Sequence, residues 1–171
     1  LYTSVNCSGT AIGSSTSLGG SATIVTSTLV EGSYNFYATA TDGAANTSSC
    51  SSATVSYIFD QTAPAVPNSL TLTPPASSPG TDDTPTITVG ATTSGDTINL
   101  YTVAGCTGDS VGNAVASGET VAVTTSSLPE GAYAFYAVAT DSISNSSACS
   151  SATVSYTVDQ SPPPQPGALT L

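Results

Sequence analysis

The sequence repeats itself over a distance as long as a whole domain. When the chain is shifted by 99 positions, residues 1–72 align with residues 100–171 without a gap, and about half of the aligned positions are identical. The run C-S-S-A-T-V-S-Y, for example, occurs at positions 50–57 and again at positions 149–156. Short solenoid repeats have periods of about 20–50 residues, whereas a period near 100 is the size of a domain. We therefore expect a series of similar domains, called modules below, that follow one another along the chain.

Proline-rich segments mark the boundaries between these modules. They lie at residues 63–67 and 162–166, at equivalent points of the repeat, and clusters of proline are typical of turns and linkers. We expect one complete module at residues 61–159. The truncated module before it, residues 1–60, lacks its first strands, and the segment after it, residues 160–171, would supply only the first strand of a following module.

Apolar and polar residues alternate with a period of two along the complete module, and no stretch shows the 3.6-residue period of an amphipathic helix. Such alternation, interrupted by Gly, Pro, Asn and Asp, predicts β-strands joined by turns. About seven short strands in roughly 100 residues are typical of an immunoglobulin-like β-sandwich. The expected fold class is therefore all-β, with tandem immunoglobulin-like β-sandwich modules. The strands are expected at residues 69–73, 84–89, 97–103, 111–116, 119–125, 132–140 and 151–158.

The charged residues of the chain exclude most catalytic chemistry. There is no Lys, Arg or His, and the 11 Asp and Glu give a formal net charge of −11. A general base near neutral pH is usually His, a phosphate site needs Lys or Arg, and a nucleic-acid surface needs a basic face. A serine nucleophile would have no base to activate it, and Asp82 and Asp83, adjacent in an extended segment, would point to opposite sides. We therefore expect neither an enzyme nor a nucleic-acid-binding protein.

Four cysteines recur at equivalent positions of the repeat: Cys7, Cys50, Cys106 and Cys149. They include no C-x-x-C pair and have no His near them, which favours disulfides over a zinc site. Disulfides persist in oxidising compartments. The sequence also contains no run of about 18 apolar residues, the length needed to cross a bilayer. We therefore expect an extracellular location, at the cell surface or in a secreted filament, with no membrane segment in this part of the protein.

The expected strand directions leave two disulfide arrangements open. Within one module, Cys106 follows a strand at the exit end, whereas Cys149 precedes the last strand at the entry end. A strand of about 7 residues would separate them by roughly 23 Å, and a disulfide requires Cα atoms within about 7 Å. The favoured arrangement therefore joins neighbouring modules through Cys7 and Cys149, with Cys50 and Cys106 bonded to further modules. Bonds within modules, Cys7 to Cys50 and Cys106 to Cys149, are the alternative if residues 141–148 fold back along the sheet.

Five motifs occur in a fixed order along the chain. They are D-Q-x-x-P-x-x-P from Asp60, D-D-T-P-T-I-T-V from Asp82, G-D-T-I-N-L-Y from Gly95, L-P-E-G-x-Y from Leu128 and A-T-D-x-x-x-N-S from Ala139. With these motifs the chain resembles the bacterial immunoglobulin-like repeats of giant secreted surface adhesins and extracellular filaments, and the resemblance covers its whole length. It implies secretion, many tandem copies and a structural or adhesive role.

The acidic residues predict a calcium site where two modules meet. In the expected topology Asp96, Asp141 and Asn145 lie at the end of the module where the chain enters, and Asp60 reaches the same end through the linker. Ca²⁺ is bound by about 6–8 oxygen atoms, and proteins of the kind that the chain resembles use such joints to stiffen a rod. The alternative is that Asp and Asn only cap their own turns. The counterpart ligand positions in the repeat are Asp42, Asn46 and Asp159.

These observations favour a structural repeat of an extracellular stalk or filament, an adhesin-type rod that is stiffened at the joints between modules. Its partners would be neighbouring copies of the module or chain, with any host or cell-surface ligand bound elsewhere in the protein. Two alternatives stay open. A filament subunit would polymerise if residues 160–171 of one copy added a strand to the truncated module of the next, although this tail corresponds to the first strand alone. The chain could instead be a module that binds carbohydrate or another surface ligand.

Overall fold

The structure, a computed structural model, describes residues 1–74 and 77–167. The secondary structure of these residues consists of β-strands, isolated bridges and turns, and it includes no helix that could cross a membrane. The chain divides into two compact units, Leu1–Gln61 and Thr62–Leu171, called unit 1 and unit 2 below. The predicted all-β class is therefore confirmed.

Unit 1 contains one two-stranded sheet, in which β1 (Gly32–Phe36) pairs antiparallel with β2 (Val55–Phe59). Three isolated bridges also occur in this unit, and they join Tyr2 to Tyr37, Leu18 to Ser21 and Thr41 to Thr47. The rest of the unit consists of turns and irregular segments. Two strands alone are marginally stable in water, so this sheet needs additional contacts to hold its shape.

Unit 2 contains two antiparallel sheets. The first has the strand order β3-β4-β7, with the bounds Ser69–Leu72, Thr86–Gly90 and Thr120–Thr124. The second has the strand order β6-β5-β8-β9, with the bounds Gly112–Val115, Thr97–Tyr101, Gly131–Thr140 and Val154–Val158. Each of these seven strands overlaps a strand that the alternation of the sequence predicts.

The core of unit 2 draws its side chains from both sheets. Ile87 and Val89 of β4 are fully buried, as are Ile98 and Leu100 of β5. All four belong to one hydrophobic cluster, and the residues that alternate with them are mostly polar. Each fully buried aliphatic side chain contributes about 1.5–3 kcal/mol. Two antiparallel sheets that share one core are consistent with a β-sandwich.

A short segment before β4 covers the edge of β9 that does not pair with β8. The Gly80 N–H donates to the Thr157 carbonyl at 3.0 Å, and the Gly80 carbonyl accepts from the Asp159 N–H at 2.9 Å. Beneath this segment lies Tyr156, the largest fully buried side chain. A Cβ added at Gly80 would lie 2.5 Å from the Tyr156 hydroxyl, so no side chain fits at position 80.

Soon after β9 ends, Gln160 contacts the segment that precedes β4. The Gln160 side-chain amide donates to the Thr81 carbonyl at 3.2 Å. Residues 160–167 contain no strand. The prediction that residues 160–171 supply the first strand of a third module falls partly on residues 168–171, which lie outside the described residues.

Candidate functional site

The structure joins the cysteines within each unit. Cys7 is bonded to Cys50 in unit 1, and Cys106 is bonded to Cys149 in unit 2. In both pairs the Cα atoms are 5.5 Å apart and the sequence separation is 43 residues. The favoured bond between Cys7 and Cys149 is therefore wrong, as is the assignment of Cys50 and Cys106 to neighbouring modules. Bonds within modules, the alternative, are the ones present.

Hydrogen bonds of Ser147 and Ser150 hold the chain in a path that allows a disulfide within unit 2. After β8 the chain turns, and the Ser147 N–H donates to the Ala139 carbonyl at 2.8 Å while the Ser150 N–H donates to the Ala137 carbonyl at 2.9 Å. Both serine hydroxyls in turn accept hydrogen bonds at 3.0 Å from the N–H groups of the same two alanines. The segment therefore runs back along β8 instead of crossing to the far end of the unit.

This return path brings Cys149 close to the end of β5. The next residue, Ser150, is bonded to Ala137, which also pairs with β5 across the sheet, and Cys106 follows the end of β5. The expected separation of roughly 23 Å assumed that the last strand fills the whole length of the module. In the structure β9 begins only at Val154, so the preceding residues are available for the return.

The turn at the start of the return path is built by Asp141. Its Oδ1 accepts from the Ile143 N–H at 2.8 Å and from the Asn145 N–H at 2.9 Å, and its Oδ2 accepts from the Asn145 side-chain amide at 2.8 Å. Asp42 of unit 1 accepts the equivalent hydrogen bonds, two of them from Asn46 at 2.9 Å. The side-chain amide of Asn145 is the main cause that lowers the pKa of Asp141, and that of Asn46 lowers the pKa of Asp42. These acidic residues thus shape their own turns, as the alternative to calcium binding proposed.

Within residues 1–74 and 77–167 there is no group of three or more His, Cys, Asp or Glu side chains that could hold a metal ion. Of the predicted calcium ligands, Asp60 belongs to unit 1, whereas Asp96, Asp141 and Asn145 belong to unit 2. Asp96 is buried immediately before β5. Asp159 accepts a hydrogen bond at 3.2 Å from the N–H two residues ahead. The calcium site stays a prediction.

Glu130 fixes the chain where it leaves β9, a role that the sequence alone does not predict. One of its carboxylate oxygens accepts from the Gln160 N–H at 2.7 Å, and both accept from the Ser161 hydroxyl at 3.0 Å. In unit 1 Glu31 accepts from the Gln61 N–H at 2.8 Å. The sequence feature that corresponds to these contacts is a Glu-Gly pair and an Asp-Gln pair, each of which recurs at equivalent points of the repeat.

In each unit, the hydroxyl of a tyrosine near the start of a strand donates to a carbonyl four residues earlier in the chain. The strand is β8 in unit 2 and β1 in unit 1. The Tyr133 hydroxyl donates to the Pro129 carbonyl at 2.9 Å, and the Tyr34 hydroxyl donates to the Val30 carbonyl. The Tyr133 ring also stacks on Phe135, with 6.3 Å between the ring centroids. These aromatic side chains therefore hold the corner of each unit.

Unit 1 carries an apolar groove beside its sheet. Its volume is about 460 Å³, and Tyr57 in its wall is 48 % exposed. The groove is lined by Thr26, Ser27, Thr28, Leu29, Phe36, Tyr57 and Phe59. It contains aromatic and aliphatic surface but no titratable group other than a phenol, so it suits an apolar occupant.

The adjacent carboxylates Asp82 and Asp83 bind different partners. Asp82 accepts from the Thr84 N–H at 2.9 Å, and Asp83 accepts from the Ser127 hydroxyl at 2.7 Å. The first contact is of the kind that stabilises turns, whereas the second joins two segments that are distant in sequence. That the chain is no enzyme stays a prediction from its composition.

Comparison of the sequence with protein-family models and with curated proteins finds no match. The resemblance to immunoglobulin-like adhesin repeats therefore stays a prediction that the sequence motifs carry.

Proposed function

We propose that the chain is part of an extracellular stalk or filament built from immunoglobulin-like modules in series, and that its role is structural. The observation that carries this proposal is that each unit has its own disulfide, with the same sequence separation of 43 residues. A unit that is closed by its own bond can follow another along a chain without depending on a particular neighbour.

The topology of unit 2 supports an immunoglobulin-like module. Its seven strands form sheets of three and four strands, all pairs being antiparallel. The bond from the Tyr133 hydroxyl to the carbonyl four residues before it resembles the tyrosine corner of this fold. Unit 1 contains the same corner, the same turn and an equivalent disulfide, which favours a second module of the same type.

The composition supports a location outside the cell. Disulfides persist in oxidising surroundings. The chain has no Lys or Arg, so proteases that cut after basic residues find no site in it. A net charge of −11 without a single basic side chain also disfavours non-specific association between copies, because like charges repel. The partners in this proposal are neighbouring modules of the same protein.

Immunogold electron microscopy of intact producing cells tests this role. Antibodies raised against folded residues 62–159 are expected to label projections on the cell surface or filaments outside the cell, at several positions along each one. Serum absorbed with the folded protein is the control. Label that reaches its antigen only in permeabilised cells would contradict the proposal. Sequencing of the flanking gene is expected to find further copies of the 99-residue repeat.

A further inference from the structure

Three segments of the chain carry the sequence Asn-x-Ser, the acceptor sequence for attachment of a glycan to an asparagine side chain. They are residues 6–8, 46–48 and 145–147. The transferring enzyme has to reach both the asparagine amide and the serine hydroxyl two residues later. The surroundings of these two groups therefore decide which of the segments can be modified in the folded chain.

The segment of unit 2 is engaged in the turn that Asp141 builds. The Asn145 side-chain amide donates to the Asp141 carboxylate at 2.8 Å. The Ser147 hydroxyl accepts from the Ala139 N–H at 3.0 Å and donates to the carbonyl of the next residue at 2.9 Å. Because Ser147 is only 9 % exposed, an enzyme cannot bind its hydroxyl while the return path is in place.

The second segment of unit 1 is engaged in the same way. The Asn46 side-chain amide donates to the Asp42 carboxylate at 2.9 Å. The Ser48 hydroxyl accepts from the Ala40 N–H at 3.0 Å and donates to the carbonyl of the next residue at 2.9 Å. A transferase would have to break these hydrogen bonds before it could bind the acceptor groups, so both turns exclude modification of their own asparagines.

The segment at residues 6–8 is different, because both of its acceptor groups lie on the surface. Asn6 and Ser8 are exposed. The backbone between them is fixed by the disulfide of Cys7 and by the Cys7 N–H, which donates to the Ser4 carbonyl at 3.0 Å. The Ser8 hydroxyl contacts the Ser4 hydroxyl at 3.3 Å, which is longer than a usual hydrogen bond between hydroxyls. The enzyme therefore has to break only this long contact to engage Ser8.

The equivalent loop of unit 2 shows that this surface is also open in a unit of seven strands. At a shift of 99 positions, Gly105 corresponds to Asn6. Gly105 is exposed, and a Cβ added there would have no atom within 4 Å beyond its chain neighbours. The exposure of Asn6 therefore does not result from the smaller number of strands in unit 1. Because Cys106 and Thr107 follow Gly105, this loop lacks only the asparagine of an acceptor sequence.

We propose that Asn6 is a site of N-glycosylation, modified by a transferase that uses a sugar linked to a diphosphate. The side-chain nitrogen forms a bond to the anomeric carbon of the sugar, and one amide proton passes to a base of the transferase. The bond between this carbon and the diphosphate breaks, and the diphosphate leaves with the electron pair. The modification does not require a stalk role, so either proposal can fail without the other.

Glycopeptide mapping of the full chain, purified from the cells that produce it, tests the site. A protease that cuts after acidic residues separates the three asparagines after reduction, because it releases residues 43–60 and 142–159 and cuts after Glu31. We expect a glycan on the peptide that contains Asn6 and an unmodified mass for the other two. Release of the glycan by an amidase in ¹⁸O water should leave the heavy label at position 6.

Two variants at residue 8 test the acceptor sequence. Ser8→Ala is expected to lose the glycan completely, whereas Ser8→Thr should keep it, because threonine supplies the same hydroxyl. A map without reduction that still links Cys7 to Cys50 shows that both variants fold.

A third variant tests whether the open loop is sufficient. Gly105→Asn completes the acceptor sequence in unit 2, and asparagine tolerates the positive φ of 82° at this position better than most residues do. We expect a second glycan, on the peptide of residues 97–109.

Four results would overturn the inference. The first is an unmodified Asn6 in the protein from its own cells, and the second is a glycan that persists in the Ser8→Ala variant. The third is a glycan on Asn46 or Asn145, which would show that the turns do not exclude the transferase. The fourth is a Gly105→Asn variant that carries no second glycan, which would show that the open loop does not determine the site.

Discussion

Ser150 and Ala137 exchange two backbone-directed hydrogen bonds across the return segment of unit 2. The Ser150 N–H donates to the Ala137 carbonyl at 2.9 Å, and the Ser150 hydroxyl accepts from the Ala137 N–H at 3.0 Å while donating to the Ala152 carbonyl at 2.8 Å. Ser150 is 4 % exposed and Ala137 is 0 % exposed. The serine thus satisfies buried backbone groups that no neighbouring strand reaches at this position.

The Ser150→Ala variant is expected to lose about 1–3 kcal/mol of unfolding free energy, because the buried Ala137 N–H loses its acceptor. Urea denaturation followed by circular dichroism measures this change. Ser155→Ala, at an exposed position of β9, is the matched control and is expected to stay within about 0.5 kcal/mol of the wild type. Equal stability of both variants would show that the return segment does not depend on this hydroxyl.

Removal of the unit 2 disulfide by Cys106→Ser together with Cys149→Ser is expected to lower the unfolding free energy by about 3–4 kcal/mol. The reason is that the open chain gains the conformational freedom of a loop of 43 residues in the unfolded state. In reducing agent, the wild type loses both disulfides. The denaturation midpoint of its unit 2 should then match that of the double variant, provided that unit 1, which loses its Cys7–Cys50 bond, unfolds independently of unit 2.

Peptide mapping without reduction checks the pairing itself. Since the chain contains no Lys or Arg, the digestion needs a protease that cuts after acidic residues. The expected linked fragments contain Cys7 with Cys50 and Cys106 with Cys149. A fragment in which Cys7 is linked to Cys149 would contradict this pairing and support a disulfide between modules.

Acid is expected to destabilise unit 2 partly through Asp141. The pKa of this carboxyl lies below its usual value of 3.8 in the folded chain, chiefly because the Asn145 side-chain amide donates to it. A lowered folded-state pKa means that the ionised carboxylate stabilises the fold above the usual pKa, and that this contribution is lost as the pH falls through the folded-state pKa.

Asp141→Asn should therefore be less stable than the wild type near neutral pH, because the new amide cannot accept from Asn145 with both of its atoms. The difference between the two proteins should shrink as the pH falls below the usual carboxyl pKa of 3.8 and through the lower folded-state pKa of Asp141. Urea midpoints across this range measure it, and Asp109→Asn, an exposed residue, is the control. A difference that stays constant with pH would contradict an electrostatic role for Asp141.

Ile87→Ala is expected to cost about 2–5 kcal/mol of unfolding free energy, since the fully buried side chain leaves a cavity between the two sheets. Val115→Ala, at a position that is 65 % exposed, should change the stability by no more than about 0.5 kcal/mol. Thermal unfolding measured by calorimetry compares the two. Similar small effects for both would mean that the sheets do not share a common core.

The strands of unit 2 could be predicted from the sequence because alternation of apolar and polar residues reports directly on a half-buried surface. Ile87 and Val89, or Ile98 and Leu100, are separated by one polar residue and are all buried. The path from Asp141 to Ser150 leaves no such pattern, because serine hydroxyls and the Asp141 carboxylate bind backbone groups. The sequence therefore favoured a bond between Cys7 and Cys149 on the ground of strand length alone. In the structure the chain returns along β8 before β9 begins, and the bonds form within each unit.

The positions of Glu31 and Glu130 show a different kind of limit. The two glutamates recur at equivalent points of the repeat, but repetition does not reveal which backbone group a carboxylate will contact. Only the folded chain places Glu130 next to the Gln160 N–H. The predicted calcium ligands show the same limit. Strand directions indicate at which end of a module these residues lie, but they do not reveal which N–H groups donate to Asp141.

The bond between Cys106 and Cys149 also determines how unit 2 can respond to tension applied at its two ends. The 43-residue separation between these cysteines is bypassed by a single covalent link, so β6, β7 and β8 stay outside the path that carries the force. Pulling can extend only the residues before Cys106 and after Cys149, and about 140 Å of contour length is withheld at roughly 3.3 Å per residue. A ruptured unit would therefore lengthen by much less than its number of residues suggests, and its enclosed strands would remain close together for refolding when the tension is released.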